Sequence, residues 1–105
     1  MLVQFNCRDK SPSTQETRMI HLSEHLAWVE NNMAHIRVAG PLKEDANIIG
    51  SLYIFEADVI EMAKTILHGD PYYQAQIWGA IDEFEFNAYA GSWVGGKNWP
   101  TQIPT

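Results

Sequence analysis

Leu2-Val3-Gln4-Phe5-Asn6-Cys7-Arg8 alternates, with Val3, Phe5 and Cys7 on one side and Gln4, Asn6 and Arg8 on the other. A period of two over seven residues predicts a β-strand with one buried face. Asp9-Lys10-Ser11-Pro12 closes it with turn chemistry. The period then changes. Ser13 and Glu16 have the spacing of a capping box. Met19, Leu22, Leu26, Val29 and Met33 recur at steps of three and four, predicting an amphipathic helix that ends near Asn31-Asn32. This strand-to-helix switch opens the fold, and the rest of the chain repeats its logic.

His35 to Ala39 reads as a short strand stopped by Gly40-Pro41. Ile48 to Phe55 is a β-branched and aromatic strand. Asp58 and Glu61 predict a second helix cap, and Val59, Met62, Ala63, Ile66 and Leu67 the apolar face behind it. Gly69-Asp70-Pro71 ends that helix. Phe84, Phe86 and Ala88 alternate with Glu83, Glu85 and Asn87 in a last strand. The order β-α-β-β-α-β is the α+β, ferredoxin-like arrangement, with both helices on one face of a four-stranded antiparallel sheet. The other face then needs a cover, because Leu2, Ile49, Tyr53 and Phe55 cannot all lie under the helices. A second subunit is the economical one, so a homodimer is expected. Residues 1–90 form this domain. Residues 91–105 form a tail whose Gly91, Gly95, Gly96, Pro100 and Pro104 argue against regular structure, yet it carries Trp93 and Trp99, which suits a lid.

The chain has 105 residues, enough for one domain with a thin core. Its net charge is -6, from 7 Lys+Arg against 13 Asp+Glu, and the cations are scattered, which excludes a nucleic-acid footprint. The single cysteine, Cys7, rules out a disulfide within the chain and fits a reducing compartment. No leader pattern and no apolar run of the roughly 20 residues that span a membrane is visible, so a cytoplasmic location is expected.

These residues, in order, resemble the YciI-like proteins, small dimeric α+β barrel proteins of bacteria. The resemblance is carried by Asp9-Lys10, Arg18, His25-Leu26-Ala27-Trp28, Ala39-Gly40-Pro41-Leu42, Gly50-Ser51-Leu52 and Gly69-Asp70-Pro71-Tyr72. It implies a ferredoxin-like subunit paired into a barrel, with an active site at His25 and Asp70. The family includes a dehydrochlorinase that removes HCl from a chlorinated hydroxyhydroquinone. The wider barrel group includes muconolactone isomerase. Many relatives have Arg-Pro-x-His where this chain has Leu22-Ser23-Glu24-His25, so an arginine able to hold an anion is gone, and the tail is longer.

An imidazole titrates near neutral pH, so His25 suits a general base, and a carboxylate such as Asp70 would fix its tautomer. Asp before Pro after a helix is equally ordinary turn chemistry, and both roles can coexist. Arg8 and Asn6, facing away from the apolar side of the first strand, are candidate substrate contacts, with Arg8 suited to an oxyanion. Ser51, Trp28 and Tyr72 complete the candidate substrate-binding set, Trp28 as an aromatic wall one turn from His25. Cys7 reads as a buried, inert thiol.

His21-Leu22-Ser23-Glu24-His25 spells H-x-x-E-H, a zinc-protease pattern. A chain this short lacks the cleft that chemistry needs, and a metal on His21, His25 and Asp70 ranks below the metal-free pair. No phosphate loop, dinucleotide fingerprint or Cys-pair metal motif is present. The expectation is a cofactor-independent enzyme using acid/base proton transfer on a hydroxylated, chlorinated aromatic or quinone-like compound. The alternatives are an isomerase using the same pair, or a non-catalytic ligand-binding or accessory domain.

Overall fold

The computed structural model describes residues 1–11 and 14–101. Four strands, β1 (Leu2–Asp9), β2 (Ile36–Glu44), β3 (Asn47–Glu56) and β4 (Trp78–Phe86), form one antiparallel sheet in the order β2-β3-β1-β4. Helices α1 (Thr14–Asn31) and α2 (Ile60–His68) and the single turn α3 (Pro71–Gln74) complete the domain. This is the ferredoxin-like α+β arrangement that the residue periods predict.

Register assigns the faces. Val3, Phe5 and Cys7 lie opposite Phe55, Tyr53 and Ser51, and all six are buried under the helices with Ala63 and Leu67. Tyr53 and Phe55 are therefore core residues. Leu2, Leu52, Ile54, Phe84 and Phe86 point the other way, where Phe84 is 54 % exposed and no helix covers them.

Several local expectations change. Ser13 lies outside the described residues, and α1 begins at Thr14, whose hydroxyl donates to Asp9 Oδ2 at 2.7 Å. The α1 stripe is real, but it is not the buried face. Met19, Leu26 and Met33 are exposed, whereas Thr14 and Arg18 are buried. The cause is the ion pair between Arg18 and Asp9, which rotates the polar side of the first turns onto the sheet. β2 runs through Gly40-Pro41 instead of stopping there, because it is an edge strand and a missing N–H costs nothing on the open side. Asp45 and Ala46, at φ 50° and 69°, make the tight turn into β3.

The N-cap of α2 is Val59, in extended conformation and without a side-chain hydrogen bond, not Asp58, and Val59 and Met62 are exposed. β4 starts at Trp78, five residues before the expected strand, since Gln76 at φ 57° turns the chain directly from α3 into the sheet. The tail is more ordered than its composition suggests. Ala90–Gly91 pairs with Gly96–Lys97 as β5 and β6 around a single 3-10 turn. Gly91, Gly95 and Gly96 sit at positive φ, so the glycines permit this turn. Trp93 at its tip is 87 % exposed, and it borders the open sheet face rather than covering the cavity under α1.

Among the described residues, no helix is long and apolar enough to cross a membrane.

Candidate active site

Asp70 is both cap and partner. It is the N-cap of α3, where Oδ1 accepts from the backbone N–H of Tyr72 at 2.9 Å. The same Oδ1 lies 2.8 Å from His25 Nδ1, and Oδ2 accepts from the Tyr53 hydroxyl at 2.7 Å. The carboxylate is wholly enclosed. Two of its contacts come from groups that can only donate usefully here, so Asp70 acts as an acceptor throughout and His25 Nδ1 carries the proton. Nε2 is left with the lone pair, and no described residue hydrogen-bonds to it.

The imidazole is held on both sides. Its ring lies 3.9 Å from the Tyr72 centroid with 8° between planes, and 6.0 Å from that of Trp28. Trp28 also meets Tyr53 and Phe55 edge-on, so it backs the imidazole from within the core instead of walling the cavity. A side chain on Gly69 would press against Trp28 Nε1. The aromatic wall of the cavity is Tyr72. Its hydroxyl donates to the Arg18 carbonyl at 3.2 Å and anchors the ring to α1. Tyr73 packs elsewhere, stacked on His68.

The imidazole opens into a cavity of about 440 Å³ between α1 and the β2–β3 side of the sheet. That volume suits a small molecule. Its polar end holds Arg18, His25, Ser51, Tyr53 and Tyr72, and its other wall is apolar, with Leu22, Leu26, Pro41 and Ile48. The exposed stripe of α1 is this wall, which explains why an apolar helix face stays uncovered in the monomer.

Arg18 is the residue that the motif reading left without a role. It forms a fork on Asp9, Nε to Oδ2 at 2.9 Å and Nη2 to Oδ1 at 2.7 Å, and Nη2 also reaches Ser51 Oγ at 3.1 Å. The arginine missing from the turn before His25 therefore has a counterpart one turn further back. The signal was available: position 18 is seven residues before His25, on the same helix face.

Asn6 and Arg8 are on the opposite face of the sheet from His25. Asn6 accepts from Gln4 Nε2, and Arg8 borders a surface groove with Glu44 and Asn47. Neither is brought to the cavity, because the side chains of β1 alternate and Cys7 takes the face that His25 shares. His21 pairs at 3.6 Å with Glu24 at the surface while His25 turns inward, so the two histidines diverge. Among the described residues, no three His, Cys, Asp or Glu side chains converge as a metal site would require.

Burial fixes the protons on the remaining groups. It pushes the Cys7 thiol up to about 12, with the Asp70 charge adding to the effect. Burial and the Asp70 carboxylate raise Tyr53 far above an ordinary phenol, so it stays a donor to Asp70. Burial also raises Tyr72, against the lowering influence of Arg18.

An antiparallel four-stranded sheet with a His-Asp pair beneath its helices defines a small ferredoxin-like domain. The chain belongs to the YCII-related domain family, whose model matches residues 1–87. Among solved structures it is similar to 5-chloro-2-hydroxyhydroquinone dehydrochlorinase from Burkholderia phenoliruptrix AC1100 in complex with 2,5-dihydroxybenzoquinone. The identity is 26%, the TM-score 0.74, and the match covers 87% of this chain and 96% of that one. A protein of unknown function from Nitrosomonas europaea shares the fold, at 15% identity and a TM-score of 0.51, over 81% of this chain and 87% of that one. No curated protein sequence matches the chain.

Proposed function

We propose that this protein is a cofactor-independent enzyme that eliminates HCl from a chlorinated, hydroxylated aromatic ring. The observation that carries the reading is the 2.8 Å contact between His25 Nδ1 and the enclosed Asp70, which leaves Nε2 bare toward a small cavity. The similarity to a dehydrochlorinase over nearly the whole domain supports the choice of reaction.

His25 Nε2 takes the proton of a ring hydroxyl. The oxygen's electron pair becomes a carbonyl π bond, and the ring carbon that bears chlorine takes a proton back from the imidazolium. The imidazole, neutral again, then takes the proton of a second ring hydroxyl at Nε2. The electrons of that oxygen form the second carbonyl, the C–Cl bond breaks, and chloride leaves. The ring ends as a quinone, and one HCl is lost with no net oxidation. Asp70 stabilises the imidazolium and holds the tautomer, a positioning role. The steps need no redox partner, since the leaving chloride carries off the electron pair.

In this reading a second copy of the chain covers the open sheet face that carries Leu52, Ile54 and Phe84, making a homodimer with the cavities beneath the helices of each copy.

The test is chloride release. Purified protein mixed with 5-chloro-2-hydroxyhydroquinone is expected to release one chloride per quinone formed, read by ion chromatography and quinone absorbance. No release above the uncatalysed background overturns the assignment. Consumption of the substrate without chloride release favours isomerisation by the same pair.

A further inference from the structure

We infer that Arg18 is the substrate-binding group of this site, receiving one delocalised, partly negative ring oxygen through the free edge of its guanidinium. The inference deepens the proposed reading and rests on the same cavity holding a hydroxylated ring.

Arg18 is buried, and its donors are unequally used. Nε and Nη2 are committed to Asp9 and Ser51. Nη1 has no partner among the described residues. Trp78 Nε1 is the single buried side-chain nitrogen or oxygen among them that is enclosed without a partner. Nη1 is therefore not sealed in the protein. Arg18 lines the cavity, and in this inference the unsealed edge of its guanidinium is directed toward it. Two N–H groups on a cation, at the polar end of a small cavity, form a ready acceptor site for an oxygen.

The charge balance selects which oxygen. Asp9 pairs with Arg18 in a fork whose side chains are both almost wholly covered, so the pair is close to neutral as a unit. Such a pair suits an oxygen carrying a fraction of a charge, as in a hydroxyquinone anion or an enolate. It is a poor receptor for a phosphate dianion, whose charge would meet Asp9. Ser51, fixed by the same guanidinium, lies beside this position. Arg18 Cζ is 5.2 Å from the Tyr72 centroid, and His25 stacks on the same ring, so one small planar molecule reaches both. The ring oxygen is thus set at Arg18, the proton to be moved at His25, and the halogen toward Leu22 and Pro41. When the first proton leaves, Nη1–H meets the developing oxyanion.

The test is binding, which separates this inference from the reaction. Titration of wild type with 2,5-dihydroxybenzoquinone is compared with titration by its dimethyl ether, which keeps the ring but cannot carry the charge. Wild type is expected to bind the hydroxyquinone at least ~10-fold more tightly than the ether. R18Q/D9N removes both charges together and leaves neither buried alone, and it is expected to lose most of that preference. Arg18-dependent binding without chloride release keeps the inference and overturns the elimination. Hydroxyquinone affinity unchanged in R18Q/D9N overturns the inference. Should that variant not fold, equal affinity of wild type for hydroxyquinone and ether overturns it as well, and so does no binding of either.

Discussion

The Tyr53 hydroxyl donates to Asp70 Oδ2 at 2.7 Å, where both side chains are closed to solvent. One buried carboxylate therefore accepts from three elements: β3 through Tyr53, α1 through His25, and its own helix α3 through the Tyr72 N–H. The orientation of the imidazole depends on that junction.

Tyr53→Phe removes one donor to Asp70 without changing the ring that packs on Phe55. A hydrogen bond to a charged group contributes about 1.5–3 kcal/mol, so urea unfolding is expected to show a loss of about 2 kcal/mol. Turnover is expected to fall by about 10-fold, since the dyad survives with looser geometry.

Asp70→Asn separates the two roles of the residue. Asparagine caps helices about as well as aspartate, so the fold is expected to survive, but the buried donors lose a charged acceptor and melting is expected to fall by about 10 °C. The imidazolium, however, loses its counter-charge and the tautomer loses its clamp. Turnover is expected to drop by at least about 100-fold. A variant that melts normally and turns over normally would make Asp70 a cap and nothing more.

Stability is expected to fall in alkali. The Cys7 thiol is raised to about 12 from its ordinary 9.0, so it is protonated in the fold and ionised in the unfolded chain between those values. The unfolded state then binds fewer protons, and unfolding becomes easier as pH rises from 9 toward 12, levelling off above. The thiol alone contributes a slope of up to about 1.4 kcal/mol per pH unit. Tyr53 and Tyr72, raised in the same direction, add to the fall above about pH 10. Unfolding free energies at pH 8, 9 and 10 check this, and Cys7→Ala is expected to flatten the slope.

The open sheet face gives a prediction about assembly. Ile54 and Phe84 lie on it, away from the core. Sedimentation velocity is expected to find a dimer for wild type and a monomer for Ile54→Arg, because a buried, unpaired charge costs several kcal/mol at an interface. Dimers of undiminished affinity in the variant would place the contact elsewhere.

What was legible in the sequence follows from period and from turn chemistry. The alternation of Val3, Phe5 and Cys7 and the three-four steps of α1 gave the elements, their order and the α+β class. The motifs single out His25 and Asp70, and the fold brings the two side chains into contact although 45 residues separate them. The face of α1 was not legible, because Arg18 is polar and its burial depends on Asp9, nine residues away on another element. Arg8 was a natural guess for the oxyanion, but strand alternation sends it to the wrong side of the sheet. The sequence groups Tyr53 with Leu2, Ile49 and Phe55 as residues that cannot all lie under the helices, whereas it is a core residue. Its role shows only when β3 brings its hydroxyl over α3. The tail's glycines signalled a break in regular structure, whereas three positive φ values show that they build a turn.

His25 Nε2 is the base of the proposed elimination, and chloride release by His25→Ala tests that role most directly. With 5-chloro-2-hydroxyhydroquinone at saturating concentration, wild type is expected to release chloride at a rate that the variant lowers by at least about 100-fold, while still binding 2,5-dihydroxybenzoquinone. Release by His25→Ala as fast as by wild type would contradict it.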